Sequence, residues 1–208
     1  MSVPNLMPFQ DLPFNGDTQI QKSFIEFRDS FKLNVAVETG SCLFSTTKWL
    51  GEEFERVFTV EISQEFATHG IHKISGMENV KSYVNMDSVH FLKEALNLNP
   101  SDRVIYFLDA HWGNHCPLLN EISAIAALKE KLNLEHPPVI AIHDFYTGNP
   151  EFGYDSYNGK IFDYDFIKAA LTKVELAYGY TYKYAFNEIA EGAKRGIIYL
   201  LPEINYIS

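Results

Sequence analysis

Polar residues of reactive type recur wherever an apolar run stops. Asn34–Glu38 closes on Glu38 and runs into Thr39, Gly40 and Ser41; Arg56–Glu61 closes on Glu61, with Ile62 behind it. Val80–Val84 is followed by Asp87 and Ser88, Val104–Leu108 by Asp109 and His111, and Pro138–Ile142 by His143 and Asp144. A single acid after a strand is ordinarily solvated or caps a helix. Acids at five successive ends are a pattern, because in a parallel sheet those ends share one edge. A glycine turn followed about 20 residues later by an acid closing the next strand suits a ribose, whose hydroxyls the acid accepts. Glu61 is that acid, and it favours a free ribose over one carrying a 2′-phosphate. Asp87 and Ser88 suit an adenine edge, and Asp87 equally suits the cap of a helix beginning at Ser88.

The later ends offer different chemistry. Asp109, His143 and Asp144 combine carboxylates with imidazole, a donor set for a divalent cation: oxygens favour Mg²⁺, Ca²⁺ or Mn²⁺, and imidazole moves the balance toward transition metals. His111 lies two positions after Asp109, and an imidazole of ordinary pKa can take a proton from a hydroxyl near neutrality. The plain alternative is a loop histidine bonded to backbone. His115 is a weaker candidate, and Trp112 is either an acceptor platform or a loop anchor.

The elements that must position these residues follow from periodicity. Asp17–Phe31 spaces Ile20, Phe24, Phe27 and Phe31 as one helical face, with Asp17 or Thr18 as cap. Helices are expected around Thr46–Leu50 and over Gln64–Ile74, Ser88–Leu96, Leu118–Leu132 and Phe166–Ala177, between the five strands already named. Two further strands, Thr181–Phe186 and Gly196–Leu200, suit an antiparallel pair at one edge. The alternation predicts one α/β domain over residues 1–208: a Rossmann-like, doubly wound, mostly parallel sheet of about seven strands with helices on both faces. Residues 1–16, with three prolines, are expected to be irregular, either a loose tail or a flap over a site. Residues 145–160 lack apolar periodicity, and so long a loop in a compact domain suits acceptor binding. Its Tyr146, Tyr154, Asp155 and Tyr157 would cover an acceptor, and the tyrosines equally suit packing the loop down. Lys194 and Arg195, between the final strands, either contact an anionic acceptor group or, as turn residues, stand in solvent, the more common case.

Composition narrows the partners. The 208 residues are 46% hydrophobic and carry a net charge of −10, which argues against a phosphate backbone as partner. No apolar run approaches the roughly 20 residues of a membrane span. The N-terminus lacks the basic start and apolar stretch of a signal peptide, and Cys42 and Cys116 are the two cysteines, so a cytoplasmic protein without a disulfide framework is expected. A homodimer is left open.

Taken in order, Glu38–Thr39–Gly40, "FTVEIS" around Glu61, "NMDSVHFL" around Asp87 and "FLDAHWGNHCPLLNEI" resemble the successive motifs of class I S-adenosylmethionine-dependent methyltransferases over roughly residues 34–144. The resemblance implies S-adenosylmethionine as cofactor, with Glu38, Thr39, Gly40 and Ser41 at its methionine part, Glu61 and Ile62 at the ribose, and Asp87 and Ser88 near the adenine. Thr46 and Thr47 resemble the Ser-Thr pair that follows the glycine turn in small-molecule members. It implies an enzyme that methylates a hydroxyl or amine of a small polar molecule such as a sugar or natural product, with Asp109 and His111 as catalytic residues. The metal-dependent O-methyltransferases are similar at Asp109, His143 and Asp144, although their pair after the fifth strand is Asp-Asn or acid-Asp. Phe44 departs from the pattern by standing where a second glycine is expected. Its ring either faces the core or lines the cofactor pocket; a ring that plugs the pocket, with the unusual His143–Asp144 pair, would leave a non-catalytic nucleoside-binding domain. A metal-dependent enzyme of another kind on the same fold is the third reading.

Overall fold

The structure, a computed structural model, describes residues 9–111 and 115–203. Trp112 and the first half of the expected N-terminal tail lie outside these residues. The alternation folds as α1 (Thr18–Phe31), β1 (Val35–Thr39), α2 (Ser45–Glu53), β2 (Arg56–Glu61), α3 (Gln64–Gly70) and β3 (Val80–Val84). Then come α4 (Ser88–His90), continued by a π turn over Phe91–Ala95, β4 (Val104–Leu108), α5 (Leu118–Lys131) and β5 (Val139–His143). The last third holds β6 (Ser156–Tyr157), β7 (Lys160–Ile161), α6 (Tyr164–Tyr178), β8 (Tyr182–Phe186) and β9 (Ile197–Pro202).

Seven strands form one sheet in the order β3-β2-β1-β4-β5-β9-β8. β1 pairs in parallel with both β2 and β4, so the strand order reverses beside β1. β9 is antiparallel to β8, as expected of the two closing strands, and also to β5. Residues alternate between faces with period two, and both faces are buried, which is why the central strands read as continuous apolar runs. Val35, Val37, Tyr106, Leu108, Ile140 and Ile142 pack with α5 and α6 on one face. Ala36, Ile105, Phe107, Val139, Ala141 and Ile197 pack with α1 and α2 on the other.

Caps set the helix boundaries. Asp17 accepts from the N–H groups of Gln19 (2.9 Å) and Ile20 (3.3 Å), and Asp163 from Phe166 N–H (2.9 Å). α6 stops at Gly179, whose φ of 74° is a glycine-permitted conformation.

Two segments that looked structureless are organised. Residues 9–16 form a strap, with a 3₁₀ turn over Pro13–Gly16; Phe14 is buried there, its ring 4.9 Å from Phe24, 5.2 Å from Trp49 and 5.1 Å from Phe107. The 145–160 loop carries the hairpin β6–β7, turned by Asn158 and Gly159 at φ 50° and 75°. Asn-Gly is a strong short-range hairpin signal, because both residues tolerate positive φ. Among the described residues, no helix is long and apolar enough to cross a membrane.

Candidate active site

The carboxyl ends of β1 to β5 open on one cavity of about 590 Å³. Gly40, Glu61 and Ser88 reach it from the β1–β3 ends, and Asp109, His111 and Asp144 from the β4 and β5 ends. The strap closes it with Phe9, Gln10 and Asn15, and the segment before β9 with residues 192–195.

The turn after β1 is built on positive φ: Gly40 at 83°, Cys42 at 49° and Phe44 at 59°. A Cβ at Gly40 would collide with the Asp109 carbonyl oxygen, so the crossing of the β4 loop demands this glycine. Phe44 keeps the left-handed backbone a glycine would take. Its ring is fully buried with Ala67 and Ile74, against Met77, Val80 and Val84, and does not line the cavity. The alternative in which position 44 plugs the cofactor pocket is therefore not the arrangement found.

Glu61 is held by the same turn. Its Oε2 accepts from Cys42 N–H and its Oε1 from Ser63 N–H, both at 2.7 Å. Each oxygen keeps a lone pair, and the side chain lines the cavity. Burial raises its carboxyl above the usual range, against these N–H bonds that favour the anion. Ile62, 53% exposed, adds an apolar wall beside it.

Five expected cofactor residues lie in the scaffold beneath. Glu38 Oε2 accepts from Thr47, and Thr59 Oγ1 lies 2.6 Å from it and 2.8 Å from Ser41 Oγ. Burial pushes the Glu38 carboxyl up to about 7, despite those hydroxyls. Thr46 Oγ1 accepts from Phe14 N–H at 2.8 Å, so it ties the strap to α2. Glu38, Thr39, Ser41, Thr46 and Thr47 are not among the cavity-lining residues. Asp87 caps α4 through Val89 N–H (3.0 Å) and His90 N–H (3.1 Å); its other oxygen is 3.7 Å from His115 Nε2, and Ser88 rather than Asp87 lines the cavity.

At the β4 and β5 ends, charges interlock. His143 Nδ1 lies 3.2 Å from Asp109 Oδ1 and 3.3 Å from Asp144 Oδ1. His111 Nε2 lies 3.3 Å from Asp144 Oδ2 and 4.0 Å from Asp155 Oδ2. Arg195 bonds Asp144 through Nε and Asp155 through Nη2. Burial alone would lower both imidazoles. The carboxylates of Asp144 and Asp109 outweigh it at His143, which rises to about 9. Asp144, Asp109 and Asp155 likewise raise His111 above the ordinary imidazole value. Burial opposes ionisation of Asp144, yet His143, His111 and Arg195 hold it well below the usual carboxylate range.

Asp109, His143 and Asp144 place one potential metal-ligating atom each within 4.8 Å of one another, as do His111, Asp144 and Asp155. The donor set is nonetheless spoken for: Asp144 Oδ1 faces Arg195 and His143, and its Oδ2 faces His111. These residues fit a group that donates hydrogen bonds better than a resident metal ion.

Arg195 corrects an expectation. It is not in solvent but joins two aspartates at the cavity, a role that the unbalanced acids of this rim could have suggested. From the 145–160 loop it is Asp155 that lines the cavity; Tyr146 and Tyr154 pack edge to face, their ring centres 4.8 Å apart. Glu121, from the first turn of α5, was not singled out by the sequence. It is buried, as are the hydroxyls of Thr39 and Ser88. Burial raises its carboxyl, while Ser88, Thr39 and His111 oppose the rise.

No protein-family profile matches the sequence, and no curated protein matches it. Solved structures do match. The O-methyltransferase TomG from Streptomyces achromogenes, involved in tomaymycin synthesis and solved with S-adenosylmethionine, is similar at a TM-score of 0.58 and 14% identity, over 88% of this chain and 79% of its own. An O-methyltransferase from Bacillus cereus, in complex with S-adenosylhomocysteine, is similar at 0.56 and 17%, over 93% and 85%. An rRNA methylase from Streptococcus thermophilus is similar at 0.52 and 14%, over 86% and 94%. At such identities the likeness establishes the fold, the Rossmann-like one shared with class I methyltransferases, and leaves the chemistry to the site.

Proposed function

We propose that this chain is an S-adenosylmethionine-dependent methyltransferase acting on a hydroxyl or amine of a small polar molecule, such as a sugar or natural product. The observation that carries the reading is that Glu61 and His111 line one cavity, from opposite sides of the point where strand order reverses. Such switch points are where open α/β sheets bind ligands.

The fit to the cofactor rests on the free lone pairs of Glu61, the exposed Ile62 and the tight Gly40 turn. Glu61 would accept both ribose hydroxyls, Ile62 would pack on the adenine face, and Gly40 would let the methionine part lie against backbone. When bound, the cofactor supplies an electrophilic sulfonium methyl. His111 would take the acceptor's proton. Its Nε2 faces Asp144, which leaves Nδ1 as the accepting atom, and Asp144 would stabilise the imidazolium that results. Asp109 sits beside it as a fixed negative charge. The strap, Asp155 and Arg195 would exclude water and orient the acceptor, so most of the rate would come from positioning.

A second reading adds Mg²⁺ or another divalent cation on Asp109, His143 and Asp144, supported by their closeness. The engagement of both Asp144 oxygens weighs against it. The net charge of −10 supports a small molecule over nucleic acid as acceptor. A cytoplasmic location remains the reading of the two unpaired thiols. Calorimetry with S-adenosylhomocysteine, with and without Mg²⁺, tests the proposal. Binding unaffected by the metal supports it; metal binding without nucleoside binding would replace it with another metal-dependent activity on this fold.

A further inference from the structure

The rim at β4 and β5 gathers three aspartates within reach of two histidines, and such a cluster calls for a cation. One is already part of the chain. Arg195 lies just before β9 and turns its guanidinium back across the sheet edge, Nε to Asp144 Oδ1 and Nη2 to Asp155 Oδ1. A cradle receives it. A Cβ at Gly153 would come within 2.7 Å of Arg195 Nη1, so the glycine lets the guanidinium lie over the loop backbone without shifting. That backbone is stapled in register: Gly153 N–H donates to Lys194 C=O at 2.8 Å, and Gly196 N–H to Gly153 C=O at 2.9 Å. Asp155 N–H donates to Asp144 C=O at 2.8 Å, which brings the two carboxylates to the same guanidinium. Asp144 stands at φ 56°, a left-handed turn held by this packing.

We propose that Arg195 is the resident cation of this rim, standing where a divalent ion would, and that it latches the 145–160 loop by gripping Asp144 and Asp155 together. Each aspartate of the rim then has a partner within the chain. Asp144 Oδ2 is left to orient His111, and Asp109 to pair with His143. A divalent ion among these oxygens would lie beside a fixed guanidinium, so the two cations exclude each other. A planar fork with several donors suits this double grip better than an ammonium, although a lysine would keep the charge. The pairing is independent of methyl transfer; the effect of the latch on an acceptor rests on the function proposed above.

The test is a titration of the full chain with Mn²⁺, following the free ion by electron paramagnetic resonance. The unaltered chain should show no saturable site. Arg195→Ala should gain one site per chain, at least about tenfold tighter than any binding by the parent, and Asp144→Asn in that background should remove it. Arg195→Lys should behave as the parent. If Arg195→Ala does not fold by circular dichroism, Arg195→Gln carries the same prediction. A stoichiometric Mn²⁺ site in the unaltered chain that Asp109→Asn abolishes would overturn the proposal, and so would a folded Arg195→Ala or Arg195→Gln chain that gains no site. Binding of S-adenosylhomocysteine, measured in parallel without metal, reports the methyltransferase reading separately.

Discussion

Replacing Glu38 by glutamine should change how stability depends on pH. Glu38 is 1% exposed, its Oε2 accepts from Thr47, and Thr59 Oγ1 lies 2.6 Å from the same atom. Burial moves its carboxyl from 4.5 to about 7. Between those values the unfolded chain has released the proton and the folded chain still holds it. Stability must therefore fall as pH rises through that window, by roughly 3 kcal/mol at about 1.4 kcal/mol per pH unit. Glutamine keeps an oxygen for Thr47 and Thr59 and cannot ionise. Guanidinium unfolding of both chains at intervals from pH 4.5 to 8 isolates the effect, because the other titrating groups cancel in the difference. The variant should gain on the parent across the window and hold its lead above it. A difference that stays constant with pH would refute the reasoning, because Glu38 would then ionise in the folded chain as it does in water.

Four further outcomes follow. Glu61→Ala should weaken S-adenosylhomocysteine binding by about 1–3 kcal/mol, the loss of charge-assisted bonds, measured by calorimetry. His111→Ala should leave that affinity unchanged and lower turnover about 10²-fold or more. Because Asp144 and its neighbours raise His111, and only neutral imidazole takes a proton, the parent's rate should climb with pH through a midpoint above the ordinary value of 6.5; a flat profile would remove His111 as the base. Phe44→Ala should cost about 3–5 kcal/mol of stability by denaturant unfolding, as a buried ring does, without altering cofactor affinity.

Local rules made much of the scaffold readable. The continuous apolar runs revealed the central strands of the sheet, and Asp17 marked a helix start because a cap acts within four residues. That Glu61 reaches the cavity was legible, since an acid closing a parallel strand lies on the edge where such sheets open. What depended on distant chain was not legible. Thr46 looked like a cofactor residue until the strap arrived, through Phe14, to claim its hydroxyl. The direction of the Phe44 ring was set by α3 and the turn after it. Arg195 resembled a solvated turn residue because Asp144 and Asp155, which hold it, lie 40 or more positions away. Asn158–Gly159 is the exception: its hairpin signal is local, but the two-residue strands beside it carry no apolar periodicity.

The central claim is that the cavity at the β1–β5 ends holds a nucleoside sulfonium against Glu61. Calorimetry of the full chain with S-adenosylhomocysteine tests this most directly. One molecule bound per chain, weakened by Glu61→Ala and untouched by Phe44→Ala, is the predicted result. No heat of binding, or binding indifferent to Glu61, would contradict it.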